Sequence, residues 1–500
     1  MSSTDPLREM PNAGKSITKL LCLETAAIVV GSSFQFGYNT GVINAPQAYI
    51  KEFLNETYYQ RYQTQITSST LTLLWSFAVA IIAIGGMLGS LIAAPMSQKF
   101  GRKKSLLLNN ILAFIGAGLM GFSKLASSYG MLIAGRFVIG LNNGINMGIA
   151  PMYLTEISPV KYRGILGTLN QLGVVSAILL SQVLGLNWVL GTDELWPLLL
   201  GLTAVFAVFQ TCTLPFCPES PRYLLVYKDD EEESRKALVK LRGKDYDITE
   251  EIDSMKEEYE EEQKERSVGI IEIFTTSYLR KPMIIAIVMQ LSQQLSGINA
   301  VFYYSTPLFI AAGIPEEYSA LPTVGVGVVN VVMTLVSLSL IERAGRRLLH
   351  LTGLAGMFVC AVVLTITLTL QVDADWLSWF SLVPVLLFVA SFQIGPGSIP
   401  WFITAELFTQ GPRPTAISIA GLVNWLGNFT IALAYPPLNE LIGGFTFAIF
   451  AGLLALFWIF TYLRVPETKG RTINEITAQF RSAVDEYDDN KKFYNSSTKL

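Results

Sequence analysis

The side chains best suited to chemistry in this chain are amides set in apolar surroundings. Gln290, Gln293, Gln294 and Gly297 recur at i, i+3, i+4 and i+7, one face of a helix. Asn299 falls off that face in an ideal helix and joins it only if the chain loosens near Gly297. Other apolar stretches carry Asn170, Gln171 and Gln182, then Asn330, Gln393, Asn424 and Asn428. An amide is costly in hydrocarbon unless paired, so these groups face a protein interior or a wet cavity. Each amide both donates and accepts, which suits a neutral polyhydroxyl ligand, and Trp401 and Trp425 offer aromatic faces for its C–H surface. The competing reading is that the amides only hold helices together, as they commonly do in bundles. Three glutamines within five positions, with tryptophans in other stretches of the same half, favour the ligand site.

Other chemistries find little support. His350 is the single histidine, and Cys22, Cys212, Cys217 and Cys360 are too few and scattered for a disulfide framework. No nucleophile, base and orienter stand together, so neither an enzyme nor a metal or other cofactor is expected. The charged residues instead form motifs that recur. Gly101-Arg102-Lys103-Lys104 returns as Gly345-Arg346-Arg347, Glu156 with Arg163 seven residues on returns as Glu406 with Arg413, and Pro218-Glu219-Ser220 returns as Pro466-Glu467-Thr468. The three offsets are 244, 250 and 248 residues. Nearly equal offsets in the same order indicate a duplicated unit.

The elements that must position these groups follow from composition. The 500 residues carry 15% charged and 51% hydrophobic side chains, against about 25% charged in a soluble globule. Residues 216–279 alone hold 28 of the charged groups, so the rest of the chain is lipid-facing or buried. A net charge of −3 offers no basic footprint for nucleic acid. A spanning helix needs roughly 20 mostly apolar residues. Such stretches fall near 19–42, 70–94, 106–123, 130–153, 165–187, 195–215, 281–305, 321–341, 348–370, 378–405, 415–438 and 445–464. The first 16 residues are polar and the first apolar run is long enough to span, so no cleavable leader is expected.

Lysines and arginines concentrate in alternate loops, at Lys99 to Lys104, Lys161 and Arg163, Arg343 to Arg347, Arg413, and Lys469 with Arg471. The positive-inside rule then places both termini in the cytoplasm. The expected layout is a cytoplasmic N-terminus (1–18), a six-helix bundle (19–215), a cytoplasmic helical loop (216–280), a second six-helix bundle (281–464) and a cytoplasmic tail (465–500). The charged loop reads equally well as short amphipathic helices or as a solvated linker. On the outer side, Asn55-Glu56-Thr57 is a glycosylation acceptor. The paired motifs all lie at inner helix ends. Carboxylates facing guanidiniums there can hold the two halves together and release them, an inner latch for alternating access; the lysines among them only satisfy the positive-inside rule. Two prolines and two glycines in Gly395-Pro396-Gly397-Ser398-Ile399-Pro400 cannot hold a regular helix, which marks a gate or a static kink.

Longer segments carry a family resemblance. Phe34 to Pro46, Pro218 to Arg222, Gln290 to Tyr304, Glu342 to Arg347, Gly411 to Pro414 and Pro466 to Gly470 resemble the sugar porters of the major facilitator superfamily, and within them the class I facilitative glucose transporters of animals. The resemblance covers essentially the whole chain. It implies an all-α membrane protein of the major facilitator fold, with twelve transmembrane helices in two parallel six-helix repeats, sitting in the plasma membrane. It further implies a facilitative hexose uniporter, for D-glucose by preference, that needs no obligate protein partner beyond the lipid bilayer. Carriers preferring fructose or dehydroascorbate, and a non-transporting sugar sensor, are the alternative readings. Hexose hydroxyls would be held by Gln171, Gln293, Gln294, Asn299, Asn330 and Asn424, with Gln393 and Trp401 beside the sugar. Tyr303 and Tyr304 resemble outer-gate residues. Arg102, Glu156, Arg163, Glu219, Arg222, Glu342, Arg346, Arg347, Glu406, Arg413 and Glu467 match the inner-face motifs. Proton-coupled members place an Asp where this chain has Asn39, near an arginine matching Arg136, so proton coupling is not expected. The chain departs from the family at Gln393, where Glu is usual, and at Gln98, where Asp or Asn is usual.

Overall fold

The computed structural model describes residues 17–244, 246–264, 266, 268–369, 382–473 and 475–481. All regular structure among them is helical. The first half contains α1 (Lys19–Ile28), continued through a π turn into α2 (Phe34–Gly41), then α3 (Gln47–Tyr62), α4 (Ser68–Phe100), α5 (Arg102–Gly121), α6 (Tyr129–Ile157), α7 (Arg163–Leu184), α8 (Trp196–Gly201) and α9 (Thr203–Thr213). Three polar helices follow, α10 (Pro221–Lys228), α11 (Glu231–Arg242) and α12 (Thr249–Lys264), with the short α13 (Ile270–Thr275) after them. The second half contains α14 (Ser277–Gln294), α15 (Ile298–Ala311), α16 (Ala320–Ala344), α17 (Arg346–Thr369), α18 (Leu382–Ile394), α19 (Ile399–Glu406), α20 (Arg413–Ile442) and α21 (Thr446–Arg464). Ten helical stretches among the described residues are long and apolar enough to cross a membrane. The start of the tenth expected span, residues 378–381, lies outside the described residues, as do 1–16 and 482–500.

Local sequence explains where helices begin. The Thr67 hydroxyl accepts from Thr70 N at 3.3 Å to start α4, and Ser220 accepts from Tyr223 N at 3.2 Å with Pro221 at the first helical position of α10. In α11, Asp230 caps Glu233 N at 3.0 Å. Three glutamates then fill its first turn, and Lys240 and Arg242 its last, complementing the helix dipole. The charged loop is therefore helical rather than a plain linker. Within the first bundle α4 and α6 pack backbone to backbone. A Cβ at Gly144 would stand 2.2 Å from Gly86 O, so only glycine permits that approach.

The long helices run between two faces of the molecule, one holding the start of α1 and the end of α21, here called the terminal face, and the far face opposite. The apolar core is divided accordingly. At the far face one continuous cluster takes Tyr38, Ile43 and Trp75 from the first half together with Ile298, Phe309 and Phe447 from the second. Toward the terminal face, among the described residues, each bundle has its own cluster, one with Leu21, Leu106 and Tyr153, the other with Met283, Leu349 and Phe408, and a small one in α11 and α12 holds Leu238 and Ile252. Among the described residues the two halves thus share apolar core at the far face and keep separate cores toward the terminal one. Polar contacts repeat the pattern. Asn44 donates to Phe302 O at 3.0 Å and Ser305 Oγ at 2.7 Å and accepts from Thr306 N at 3.1 Å, and Ser68 donates to Glu440 at 2.9 Å.

Candidate functional site

The helix carrying the three glutamines breaks where Asn299 required it to. α14 ends at Gln294, Gly297 adopts φ +93°, and α15 begins at Ile298. That backbone conformation favours glycine, and a Cβ there would lie 2.6 Å from the Phe450 ring. The turn brings the Asn299 amide onto Gln294 Oε1. Across the bundle, α20 supplies Asn424, whose Nδ2 donates to Gln290 Oε1 at 2.7 Å and to Gln293 Oε1 at 2.6 Å. Its Oδ1 accepts from Gln294 Nε2 at 3.0 Å. Five amides from three helices therefore form one buried network.

The Pro and Gly cluster breaks its helix as well, between α18 and α19. Gln293 Nε2 donates to the carbonyls this break exposes, Pro396 O at 2.9 Å and Gly397 O at 2.6 Å. Beside the break Gln393 Nε2 donates to Asn330 Oδ1. Three buried polar atoms of this group have no protein partner among the described residues: the donors Gln290 Nε2 and Asn330 Nδ2 and the acceptor Gln393 Oε1. Leaving such an atom unpaired costs about 1–3 kcal/mol. With no charged side chain in the network, the site can offer donors and acceptors to a neutral ligand without imposing a charge.

The other expected contact residues make no hydrogen bond to this network among the described residues. Gln171 is half-buried on α7 and its side chain makes no hydrogen bond among the described residues, and Trp401 is half-buried at the third position of α19. Tyr303 donates to Asn428 Oδ1 at 3.2 Å and Tyr304 to Ala432 O at 2.8 Å, so both tie α15 to α20. Trp425 reaches into the first half, donating to Ser90 Oγ at 2.9 Å and meeting Phe36 edge-on. His350 on α17 lies 3.2 Å from Ser292 Oγ, linking α17 to the glutamine helix. The Asn39 side chain donates to Gln35 O and Thr203 Oγ1, both at 2.7 Å, and its backbone carbonyl accepts from the buried Arg136 at 3.1 Å.

At the terminal face each half closes its charged motifs on itself. Arg102 grips Glu156 with two parallel bonds of 2.8 and 2.7 Å, the pair only 4% and 8% exposed. Arg346 meets one oxygen of Glu406 at 3.2 and 3.1 Å, at 20% and 26% exposure. Neither pair bridges the two halves, as the expected latch would, because each arginine opens a helix whose first turn packs beside its own half's carboxylate. Arg163 is exposed and makes no side-chain pair among the described residues. Arg222 pairs with Glu258 at 2.7 Å and Arg413 donates to Phe408 O at 3.0 Å. The Arg347 backbone N donates to Glu467 Oε2 at 3.1 Å, and the side chain of Glu342 lies outside the described residues.

The Pro-Glu motifs have a role the sequence reading missed. Glu219 Oε1 accepts from Arg102 N at 2.9 Å, Lys103 N at 3.0 Å and Ser220 N at 2.9 Å. Glu467 Oε1 accepts from Arg346 N at 2.9 Å and Thr468 N at 3.0 Å. Each glutamate caps the helix opened by its half's Gly-Arg, where free N–H groups and the dipole favour an anion. Burial pushes the Glu219 carboxyl above the usual carboxylate range, with the backbone donors pulling it back. Gly101 and Gly345, at φ +88° and +91°, let the carboxylates approach. Ser220 and Thr468 complete the sets by donating to Glu156 and Glu406. Asn55 is exposed on α3, with Thr57 of the same acceptor motif buried.

Comparison with known proteins places this arrangement. The family model described as "Sugar (and other) transporter" matches residues 25–480. Over 469 residues the chain is 52% identical to solute carrier family 2, facilitated glucose transporter member 1 of Gallus gallus, covering 94% of this chain and 95% of that one. It is 50% identical to facilitated glucose transporter member 3 of Ovis aries, covering 94% of each. Among solved structures, a partially occluded inward-open form of the xylose transporter XylE from E. coli aligns with a TM-score of 0.76 at 25% identity, over 91% of this chain and 100% of that one.

Proposed function

The chain belongs to the sugar transporter family, and from that premise we propose that it is a facilitative uniporter of hexoses, D-glucose foremost, working by alternating access. It is a transporter and not an enzyme. The observation that carries the site is the neutral amide network of Gln290, Gln293, Gln294, Asn299 and Asn424, with Asn330 and Gln393 beside it. A hexose presents five or so hydroxyls of mixed polarity, and Gln290 Nε2, Asn330 Nδ2 and Gln393 Oε1 supply two donors and one acceptor for them. Trp401 stands at the break as the aromatic wall, and Gln171 reaches the sugar from the opposite half once the halves close around it.

The membrane layout is twelve spans in two parallel repeats. Ten apolar stretches support it, one of them the 52-residue run Arg413–Arg464, which holds both α20 and α21. The remaining span is α6, 29 residues made more polar by Arg136 and its three asparagines. The terminal face is cytoplasmic, the protein is multi-pass in the plasma membrane, and Asn55 is a glycosylation site on the outer side. With apolar core shared at the far face and separate toward the terminal one, the described state opens the site to the cytoplasm. The capped Arg–Glu sets keep each bundle's inner end rigid while the bundles rock as bodies.

Uniport follows from the span-one position. Asn39 cannot exchange a proton near neutral pH, and the buried Arg136 beside it donates to backbone carbonyls, of Asn39, Ala78 and Val79, rather than to an acid. The test is zero-trans uptake of labelled D-glucose into proteoliposomes holding only this protein, with and without an imposed proton gradient. Saturable entry indifferent to the gradient is expected, and Gln293→Leu should abolish or strongly weaken it at normal expression. Undiminished uptake by that variant removes the site, and gradient-driven accumulation removes the uniport.

A further inference from the structure

The short helix α13 presents an apolar face that nothing else among the described residues covers. Ile270 and Ile271 are 61% and 79% exposed. Ile273 on the same helix is docked, fully buried in a cluster with Leu279, Met283 and Ile476. Thr415 on α20 donates to Val268 O at 2.7 Å and pins the turn just before the helix. The segment is therefore held in place with two isoleucines turned outward.

Its neighbours give the level at which it lies. α14 begins two residues after α13 ends. On α14, Arg280 and Ile284 are four residues apart on one face. Ile284 is 44% exposed on a membrane-crossing helix, so this face looks at lipid. Arg280 and Lys281, both exposed, then sit about one helical pitch, roughly 5 Å, nearer the water, where basic side chains reach lipid phosphates. α13 packs on this same stretch of α14, Ile273 clustering with Leu279 and Met283.

We propose that α13 is an interfacial anchor: Ile270 and Ile271 insert into the acyl boundary of the leaflet at the terminal face, while Arg280 and Lys281 bind the phosphodiesters of the same leaflet. Its occupant is phospholipid. The anchor fixes the ends of α14 and α20, the two helices that carry Gln290, Gln293, Gln294 and Asn424, against the membrane plane. Rocking of the second bundle then proceeds around a point held by lipid.

The experiment places a nitroxide at Ile271→Cys in the full-length chain, with the exposed Cys22 and Cys212 replaced by serine, in phosphatidylcholine vesicles. Collision with oxygen, which partitions into lipid, is compared with collision by a water-soluble nickel chelate. Oxygen collisions several-fold above those at an exposed control position on α11, with weak nickel collisions, are expected. Strong nickel collisions would place the helix in water, and weak collisions with both would mean a protein segment or second copy covers it; either overturns the anchor. The double change Ile270→Asp with Ile271→Asp is expected to slow uptake several-fold in vesicles while melting as the unaltered protein does in detergent. Unchanged uptake would remove the link to transport. The nitroxide reading does not depend on uptake, so the anchor and the hexose-carrier reading can fail separately.

Discussion

Glu156→Gln and Glu406→Gln make the same chemical change in two matched settings, and their effects should differ. Glu156 and Arg102 are almost wholly buried and joined by two parallel bonds. Removing one partner of such a pair leaves an uncompensated charge and costs about 3–5 kcal/mol. The Glu406 pair is a fifth to a quarter exposed and uses one carboxylate oxygen, so solvent screening brings its contribution to about 1 kcal/mol or less. The gap of about 2–4 kcal/mol corresponds to a melting difference on the order of 5–15 °C, taking about 2–4 °C per kcal/mol for a unit of 150–250 residues. Thermal unfolding in detergent can be followed with a thiol-reactive dye, because Cys217 and Cys360 are buried, one in each half, while Cys22 and Cys212 give a constant background. Burial pushes the Cys217 thiol up to about 12, so it stays inert until its surroundings open. Equal shifts in the two variants, or a larger one for Glu406→Gln, would refute the reasoning from burial.

Gly297→Ala must adopt a left-handed backbone at a cost of about 1–2 kcal/mol and also meets the Phe450 ring; glucose uptake should fall about tenfold, with Phe450→Ala restoring part of it. Asn44→Ala removes three bonds between the halves at the far face, each worth about 1 kcal/mol, so a cysteine placed at Ser305 should react faster with an impermeant thiol reagent added from that side; an unchanged rate refutes the clasp. Glu219, raised by burial, binds its proton more tightly folded than unfolded, so its contribution to stability declines as pH rises from the unfolded carboxylate value through the folded one. Glu219→Gln should lack that slope in melting measured against pH, and identical slopes would contradict it.

Much of this was legible in the residues because lipid imposes simple rules. Apolar length marked the spans, and Pro and Gly marked the break between α18 and α19. The phase of Asn299 against the three glutamines called for a turn at Gly297, since a side chain at the wrong angle can join a cluster only if the backbone changes direction. What stayed hidden depends on contacts between residues far apart in sequence. Glu219 caps a helix that starts 117 residues earlier, and no local pattern announces a cap supplied from such a distance. The recurrence of Pro-Glu at the Gly-Arg offset was the available signal. Asn44 was equally silent, a single polar residue at a span end whose three partners, on Phe302, Ser305 and Thr306, all lie on α15. In this conformation the charged pairs close within each half rather than between halves, and the reason is related: equal spacing in two repeats places each motif beside its own half's partner first.

On the proposed reading, amides as glue and amides as a ligand site are not exclusive. Gln293 binds the carbonyls of the broken helix through Nε2 and the network through Oε1, so it holds the break and faces the site at once. A ligand can shift a conformational equilibrium only by binding one state better than the other. Hydroxyls that compete for Gln293 or Asn424 would change which protein bonds survive, and those bonds hold α14 to the break and to α20. On the proposed reading, binding would therefore alter the cohesion of the helices that are to move. A site built of rigid side chains with no structural duties would bind hexose without that consequence. Placing the proposed contacts among the bonds that hold the bundle together would give an uncharged substrate, which brings no electrostatic lever of its own, a means of biasing the exchange between states.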